Sequence, residues 1–326
     1  MKLSALLVVV TGALCLAQQM ADPDFDTTVA HPAYTDHHPR VAIDEAHHNL
    51  HKKDGLFKPF AALAQSDGYN VLTNTTPFTA DVLKAFDVLV ISNALGELTD
   101  DNNHSVPAFT SVECDAVYDW VRHGGALLLA ADHAPMGDAA AALAERLGVT
   151  LGRGIVFDTD PGAIDSDEIT TMVFTERNHL LGDHPIIRGR NDSERLHRIV
   201  AFTGESMTVP RGAATLLQTS PTAGETPTRK DLRALYPKNA EDTKAARLAE
   251  AKKSPAGGRA MAIAYTPGRG RVVVNGEAGM LSAQVFKQKN KDGTERFVDK
   301  MGMNVPGNDD RQYVLNVLHW LSGALK

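Results

Sequence analysis

The chain has 326 residues, enough to bury a full core, and a formal charge of −7 that argues against a phosphate-binding surface. No basic stripe with interleaved aromatics occurs, so nucleic acid is not an expected partner.

The first residues set the expected compartment. Lys2 precedes an apolar stretch from Leu3 to Leu16, broken only by Ser4, Thr11 and Gly12. That is the pattern of a signal peptide over residues 1–17, too short to span a bilayer comfortably, with cleavage before Gln18. A lipid anchor on Cys15 is disfavoured because Leu14 stands where that signal wants a small residue. No later segment is apolar for long enough to insert stably in a membrane. The expected product is periplasmic or secreted, with a charge of −8 once Lys2 is lost. Cys114 then stands alone, which excludes an internal disulfide and a cysteine-based metal site.

Residues 18–39 are rich in Pro, Asp, His and Thr without a period and read as an extended arm. Val41-Ala42-Ile43 is the first strand, and Leu56 to Ala64 has helical spacing closed by Gly68. Asn70 to Thr73 and Phe86 to Ile91 are the next strands, the latter apolar enough to be covered on both faces. Thr110 and Glu113 form a capping-box spacing before a helix through Val117, Trp120 and Val121 that ends at Gly124-Gly125. Ala126 to Ala131 is a buried strand, and Ala139 to Leu147 a helix stopped by Gly148. This alternation predicts right-handed crossovers and a parallel sheet. Ile199 to Phe202, Leu216-Leu217, Met261 to Tyr265 and Val272 to Val274 are further strands, and a last helix covers Asp309 to Leu321. The stretch 220–258 has few large apolar residues, cannot bury its own core, and reads as a polar insertion into one domain spanning 40–326.

In an open parallel sheet, ligands bind outside the carboxyl ends of the strands. After the first strand stand Asp44, Glu45, His47, His48, Asn49 and His51. After the third come Ser92, Asn93 and Glu97; after the fourth, Asp132, His133 and Asp138; after the last, Asn275, Glu277, Met280 and Gln284. Four strand ends carrying carboxylates, amides and imidazoles predict a polar site. Each residue also has a plain structural reading. Asp44 and Asp132 can cap turns, a role that contributes about 1 kcal/mol. His48 and His51 read as solvated loop residues, His123 and His319 as ordinary helix residues, and Cys114 as a buried thiol. His31, His37 and His38 belong to the arm.

Some motif matches fail on context. Asp44-Glu45-Ala46-His47 spells a helicase box, yet no GxxxxGK[ST] loop exists to hold phosphates. Gly268-Arg269-Gly270 precedes a strand rather than following one. HExxH, GxSxG and CxxC are absent. The candidate cluster can hold a divalent metal, run acid–base chemistry on a raised carboxylate, or hydrogen-bond sugar hydroxyls without reaction.

The runs Val41 to Asn49, Gly124 to His133, Gly276 to Met280, Met301 to Asn304 and Asn316 to Leu321 resemble a bacterial exported family without an agreed reaction. That family is similar to the class I glutamine amidotransferase-like fold, near ThuA-like and related sugar-linked proteins, over nearly all of the chain from Arg40. The resemblance implies a three-layer, doubly wound, mostly parallel α/β sheet. It also implies that Asp132-His133 stands in the turn where the amidotransferases hold a nucleophilic Cys, so no glutamine amidotransferase activity is expected. His184-Pro185-Ile186 resembles a segment that lies near the pocket in ThuA-like proteins. The expected pocket has Asp44, His47, Asp132, His133 and Glu277 at its centre, with Glu45, Asn49, Asn93 and Glu205 in support. Asp132, His133 and Glu277 are its candidate catalytic residues, and Asp44, His47 and His133 its candidate ligands for a divalent metal. The expected ligand is small and polar, such as a saccharide. The alternatives are a non-catalytic envelope scaffold and a metal-dependent hydrolase.

Overall fold

A computed structural model describes residues 18–96, 107–165, 168–237, 243–289 and 294–326. The signal-peptide reading of residues 1–17 and Glu97 lie outside the described residues. The main sheet has seven strands: β1 (Arg40–Asp44), β2 (Asn70–Asn74), β3 (Val88–Ser92), β4 (Ala126–Ala130), β5 (Ala214–Gln218), β6 (Ala260–Tyr265) and β7 (Arg271–Asn275). Their order is β5-β6-β7-β4-β3-β1-β2. The five strands from β7 to β2 pair in parallel, while β6 pairs antiparallel with both β7 and β5. Chain order runs from β1 outward to β2 and then back to β3 on its other side. The crossovers therefore diverge between β1 and β3, and that is where a crevice opens in such sheets.

Strand pleating divides the core in two. Val41, Ile43, Val90 and Leu128 pack on one face with α1 (Lys58–Ser66) and the terminal helix α4 (Asp310–Ser322). Ala42, Leu89, Ile91, Leu127 and Leu129 pack on the other with α2 (Ser111–Arg122) and α3 (Met136–Arg146). The capping box at α2 forms as its spacing predicts, with the Thr110 Oγ1 accepting from the Glu113 N–H and Glu113 accepting from the Thr110 N–H.

Several elements differ from the sequence reading. The arm begins with a strand, Gln18–Ala21, which joins Ala283–Lys289 and Glu295–Gly302 in a separate antiparallel sheet. Arg198–Ala201 belongs to a small sheet with Ile164–Asp165 and Glu168–Thr175 rather than to the main one. α3 starts at Met136, three residues before the apolar run that suggested it. β5 and β6, which flank the 220–258 stretch, are neighbours in the main sheet. The insertion adds Gly224–Thr226 and Ser254–Pro255 to Ile155–Phe157, and it packs Leu235 and Ala251 against Phe157. No helix among the described residues is long and apolar enough to cross a membrane.

Candidate functional site

The strand ends carry two polar clusters with opposite character. The first belongs to β1. Asp44 is fully buried; its Oδ2 meets His47 Nδ1 at 2.8 Å, and its Oδ1 accepts from Asn74 Nδ2 at 2.9 Å. The other nitrogen of His47, Nε2, meets Glu113 Oε1 at 2.8 Å, and the ring lies between Phe78 and Phe109. Glu113 also accepts from the N–H groups of Phe78 and Thr110. Burial opposes the charge on His47, yet the hydrogen bonds and charges of Asp44 and Glu113 prevail and raise its pKa. Burial likewise opposes the ionised form of Glu113, and the bonds from His47, Thr110 and Phe78 lower its pKa in net.

That arrangement corrects the place expected for Asp44 and His47. Every ring nitrogen and carboxylate oxygen in it faces a protein partner, so these residues tie β1 to α2 instead of lining a pocket. They also fail as metal ligands beside His133, because both His47 nitrogens are occupied. Among the described residues no group of three His, Cys, Asp or Glu is placed to hold a metal ion. Glu45 and Asn49 serve the same loop. Glu45 accepts from the Lys53 N–H at 2.8 Å, and Asn49 accepts from the His47 N–H at 3.2 Å. His51 is buried rather than solvated, with Nδ1 2.8 Å from Ser92 Oγ and its ring stacked on Phe57. Burial pushes its pKa down to about 3.

The second cluster lies at the ends of β3, β4 and β7. Asn93 follows β3 in the left-handed region at φ 47°, a conformation that Asn tolerates better than most residues. Its side chain grips the next strand end: Nδ2 donates to Asp132 Oδ2 at 2.6 Å, and Oδ1 accepts from the Asp132 N–H at 2.9 Å. Asp132 Oδ1 accepts from the Ala278 N–H at 2.7 Å, so the carboxylate is fixed from both β3 and β7. Burial pushes its pKa up to about 6, against the lowering effects of Asn93, Ala278 and the charge of Arg229. The group still keeps partial solvent exposure.

Two further carboxyl groups stand beside it. Glu277 is buried and accepts from the N–H groups of Gly279 at 2.5 Å and Met280 at 2.7 Å. Burial and then the charge of Asp132 hold it well above the usual glutamate range. Glu205 has no exposed surface; its Oε2 accepts from the Arg153 N–H at 2.5 Å, while Oε1 has no hydrogen-bond partner among the described residues. Burial raises its pKa well above the ordinary value, and the charges of Glu225, Asp132 and Asp138 add to that. Gly137, in the first turn of α3, makes room for this carboxyl: a Cβ there would stand 2.5 Å from Glu205 Oε2.

His133 completes the group. Its Nδ1 is 2.7 Å from the Ala134 carbonyl, which fixes the proton on Nδ1 and leaves Nε2 as an acceptor without a partner among the described residues. Burial keeps it neutral, with its pKa below the usual value. The cluster thus offers an Asp132 that titrates near 6, two glutamates, Glu205 and Glu277, whose burial favours the protonated form, and a neutral imidazole. Those are the parts of a general acid–base site and of a hydroxyl-binding site.

Sequence reasoning named Asp132, His133, Glu277, Asn93 and Glu205 but not four other residues that bond to or charge the two clusters. Arg153, Glu225 and Arg229 carry no local pattern. Glu113 is visible only as a capping residue, and nothing in the sequence marks it as the partner of His47. His184 lies elsewhere. It caps the short helix Pro185–Arg188, packs edge-on against Trp320, and feels the charge of Arg271 at the amino end of β7.

The fold and site define a mixed α/β protein with a mostly parallel central sheet and an acid-rich cluster at its strand ends. No protein-family model matches the sequence, and no curated protein matches it. Among solved structures, the N-terminal domain of mmIFT52 aligns over 87% of this chain and 97% of that one, at 13% identity and TM-score 0.54. At that identity the likeness concerns the fold alone. Looser alignments include a ThuA-like protein of Bacteroides uniformis, at TM-score 0.39 and 13% identity over 90% of this chain and 93% of that one. Another is a ThuA-like protein of Parabacteroides merdae, at TM-score 0.42 and 11% identity over 88% and 91% of the two chains.

Proposed function

We propose that this is an exported protein whose cluster of Asp132, His133, Glu205 and Glu277 binds a small polar ligand, a saccharide in the first instance. The resemblance to the class I glutamine amidotransferase-like fold implies that Asp132-His133 stands where that fold holds its cysteine, and the proposed chemistry needs no thiol. The observation that carries the reading is Asp132. It is held by two donors from two neighbouring strand ends, titrates near 6, and follows β4 beside an imidazole whose Nε2 has no partner among the described residues. A carboxylate so placed takes a proton from a hydroxyl or a water, and Glu277 or Glu205, whose burial favours the protonated form, can supply one. If the protein turns its ligand over, it does so as a hydrolase with carboxylate acid–base groups.

The test is thermal shift followed by calorimetry against a panel of mono- and disaccharides. Ligand excess is expected to raise Tm by mass action, and Asp132→Asn to abolish the rise. Saccharide binding that survives in Asp132→Asn would remove Asp132 from the site. The scaffold reading draws on one specific observation, the complete internal pairing of Asp44, His47 and Glu113. It becomes the better account if no member of the panel shifts Tm. Export rests on the pattern of residues 1–17, and fractionation of an expressing cell tests it.

A further inference from the structure

A cavity of about 360 Å³ opens where the 220–258 insertion meets the turn after β4, at the lower end of the size range for small-molecule sites. None of Asp132, His133, Glu205 or Glu277 lines it, so it stands apart from the strand-end cluster. Glu225 of the insertion forms part of its lining. The strand Gly224–Thr226 pairs with Ile155–Phe157 on one side and with Ser254–Pro255 on the other, which sets Glu225 beside the loop 152–154. That loop reads Gly-Arg-Gly for a steric reason. A Cβ on Gly152 would run into the Glu225 carboxylate, and one on Gly154 would stand 2.8 Å from Glu225 Cγ. Arg153 between them holds φ 65°, a conformation that disfavours any side chain. Its peptide is pinned there, the N–H on Glu205 and the carbonyl on the Ala134 N–H.

Glu225 is only 6% exposed. Its Oε1 accepts from the Ser206 N–H at 2.9 Å and from the Ser206 hydroxyl at 3.2 Å, while Oε2 has no hydrogen-bond partner among the described residues. A buried carboxylate oxygen in a cavity wall is a strong acceptor that calls for a donor. The cations of the same cavity are unevenly used. Arg153 pairs with Glu145 at 3.2 Å and stands 3.6 Å from Asp138, and Lys253 is bonded to the Leu248 carbonyl. Lys252 lines the cavity with Glu225, yet it makes no hydrogen bond or ion pair to it or to any other described residue. One anion and one cation thus share the cavity without reaching each other. Inorganic phosphate would suit Lys252 and meet repulsion from Glu225. A simple amine would suit Glu225 and leave Lys252 idle. A molecule with an ammonium group at one end and a carboxylate at the other satisfies both.

We infer that this cavity binds a small zwitterion of the α-amino-acid kind, its ammonium group on Glu225 and its carboxylate on Lys252.

Calorimetry on the full chain tests this with alanine, serine and leucine, each against its N-acetyl derivative, which lacks the ammonium, and its amide, which lacks the carboxylate. At least one free amino acid is expected to bind about tenfold tighter than either derivative, the scale of one charge-assisted hydrogen bond. Lys252→Ala is expected to level the free acid with its amide and to keep the preference over the N-acetyl form. Glu225→Gln, which preserves size, is expected to level the free acid with its N-acetyl form. Lys252 is exposed, so its variant leaves the core untouched, and a circular dichroism spectrum checks that Glu225→Gln folds. If Glu225→Gln does not fold, Lys252→Ala decides alone. Absence of binding by all three amino acids, or equal affinity for all three forms of each, would overturn the inference. A preference over the amide that persists in Lys252→Ala would overturn it too, because the carboxylate would then sit elsewhere.

Discussion

Two acidic clusters lie at the carboxyl ends of one sheet, and they differ in what completes them. Around Asp44, the imidazole of His47 sits between two carboxylates and two phenyl rings, and each polar atom ends on a protein partner. Around Asp132, three carboxyl groups crowd together, and among the described residues neither Glu205 Oε1 nor His133 Nε2 has a hydrogen-bond partner. The first arrangement is what folding requires of buried charge. The second raises carboxyl pKa values and holds unused hydrogen-bonding capacity, which is what a site needs before its ligand arrives. Residue type does not separate the two, since both are made of Asp, Glu and His. Partner count does.

This contrast can be broken by mutation, and the largest effect is expected in the saturated cluster. His47→Ala leaves Asp44 and Glu113 buried without their cation and is expected to cost about 3–5 kcal/mol in chemical denaturation. A loss under about 1 kcal/mol would mean that the cluster is not holding β1 to α2. Gly137→Ala drives a methyl into the Glu205 carboxyl and is expected to cost about 1–3 kcal/mol, with a companion Glu205→Ala recovering part of it. Additive effects of that pair would deny the contact. Thr110→Ala removes the cap that aims Glu113, at about 1 kcal/mol. Asp132→Asn is expected to go the other way, gaining about 0.5–1 kcal/mol at pH 8 while losing ligand binding, the trade expected at a site kept for function.

The pH dependence of stability sharpens the same contrast. The folded pKa of Asp132 lies above its ordinary value, so the folded state favours the protonated form. That stabilisation is lost as pH rises from 3.8 to about 6. The folded pKa of His47 is raised as well, so its contribution is full below 6.5 and is lost as pH climbs through the raised value. Stability curves should therefore fall in two windows. Asp132→Asn should flatten the acid window alone, and His47→Gln the one above it. A single window removed by either variant would contradict two independent clusters.

Much of the central sheet was legible because its signals are local. The apolar runs of β1, β3, β4 and β7, the capping box at Thr110 and the glycine after α1 each depend on a few adjacent residues. The hairpin of Ala283–Lys289 and Glu295–Gly302 was not seen, since its strands mix Lys, Gln, Glu and Asp with few apolar residues. In the site, the strand-end rule grouped Asp44 and His47 with Asp132, His133 and Glu277, whereas the fold sets the two groups in separate clusters. The error has a physical cause. Whether a carboxylate at a strand end faces outward depends on partners 30 to 66 residues away, Asn74 and Glu113, and no spacing encodes them.

The most direct test is a pH titration of side-chain carboxyl carbons by NMR, with Asp132→Asn and Glu113→Gln supplying the assignments. The two-cluster account predicts an Asp132 midpoint near 6 and a Glu113 midpoint below the ordinary 4.5 in the same spectra. An Asp132 that titrates near 3.8 would contradict the account, and the proposed site would lose its central residue.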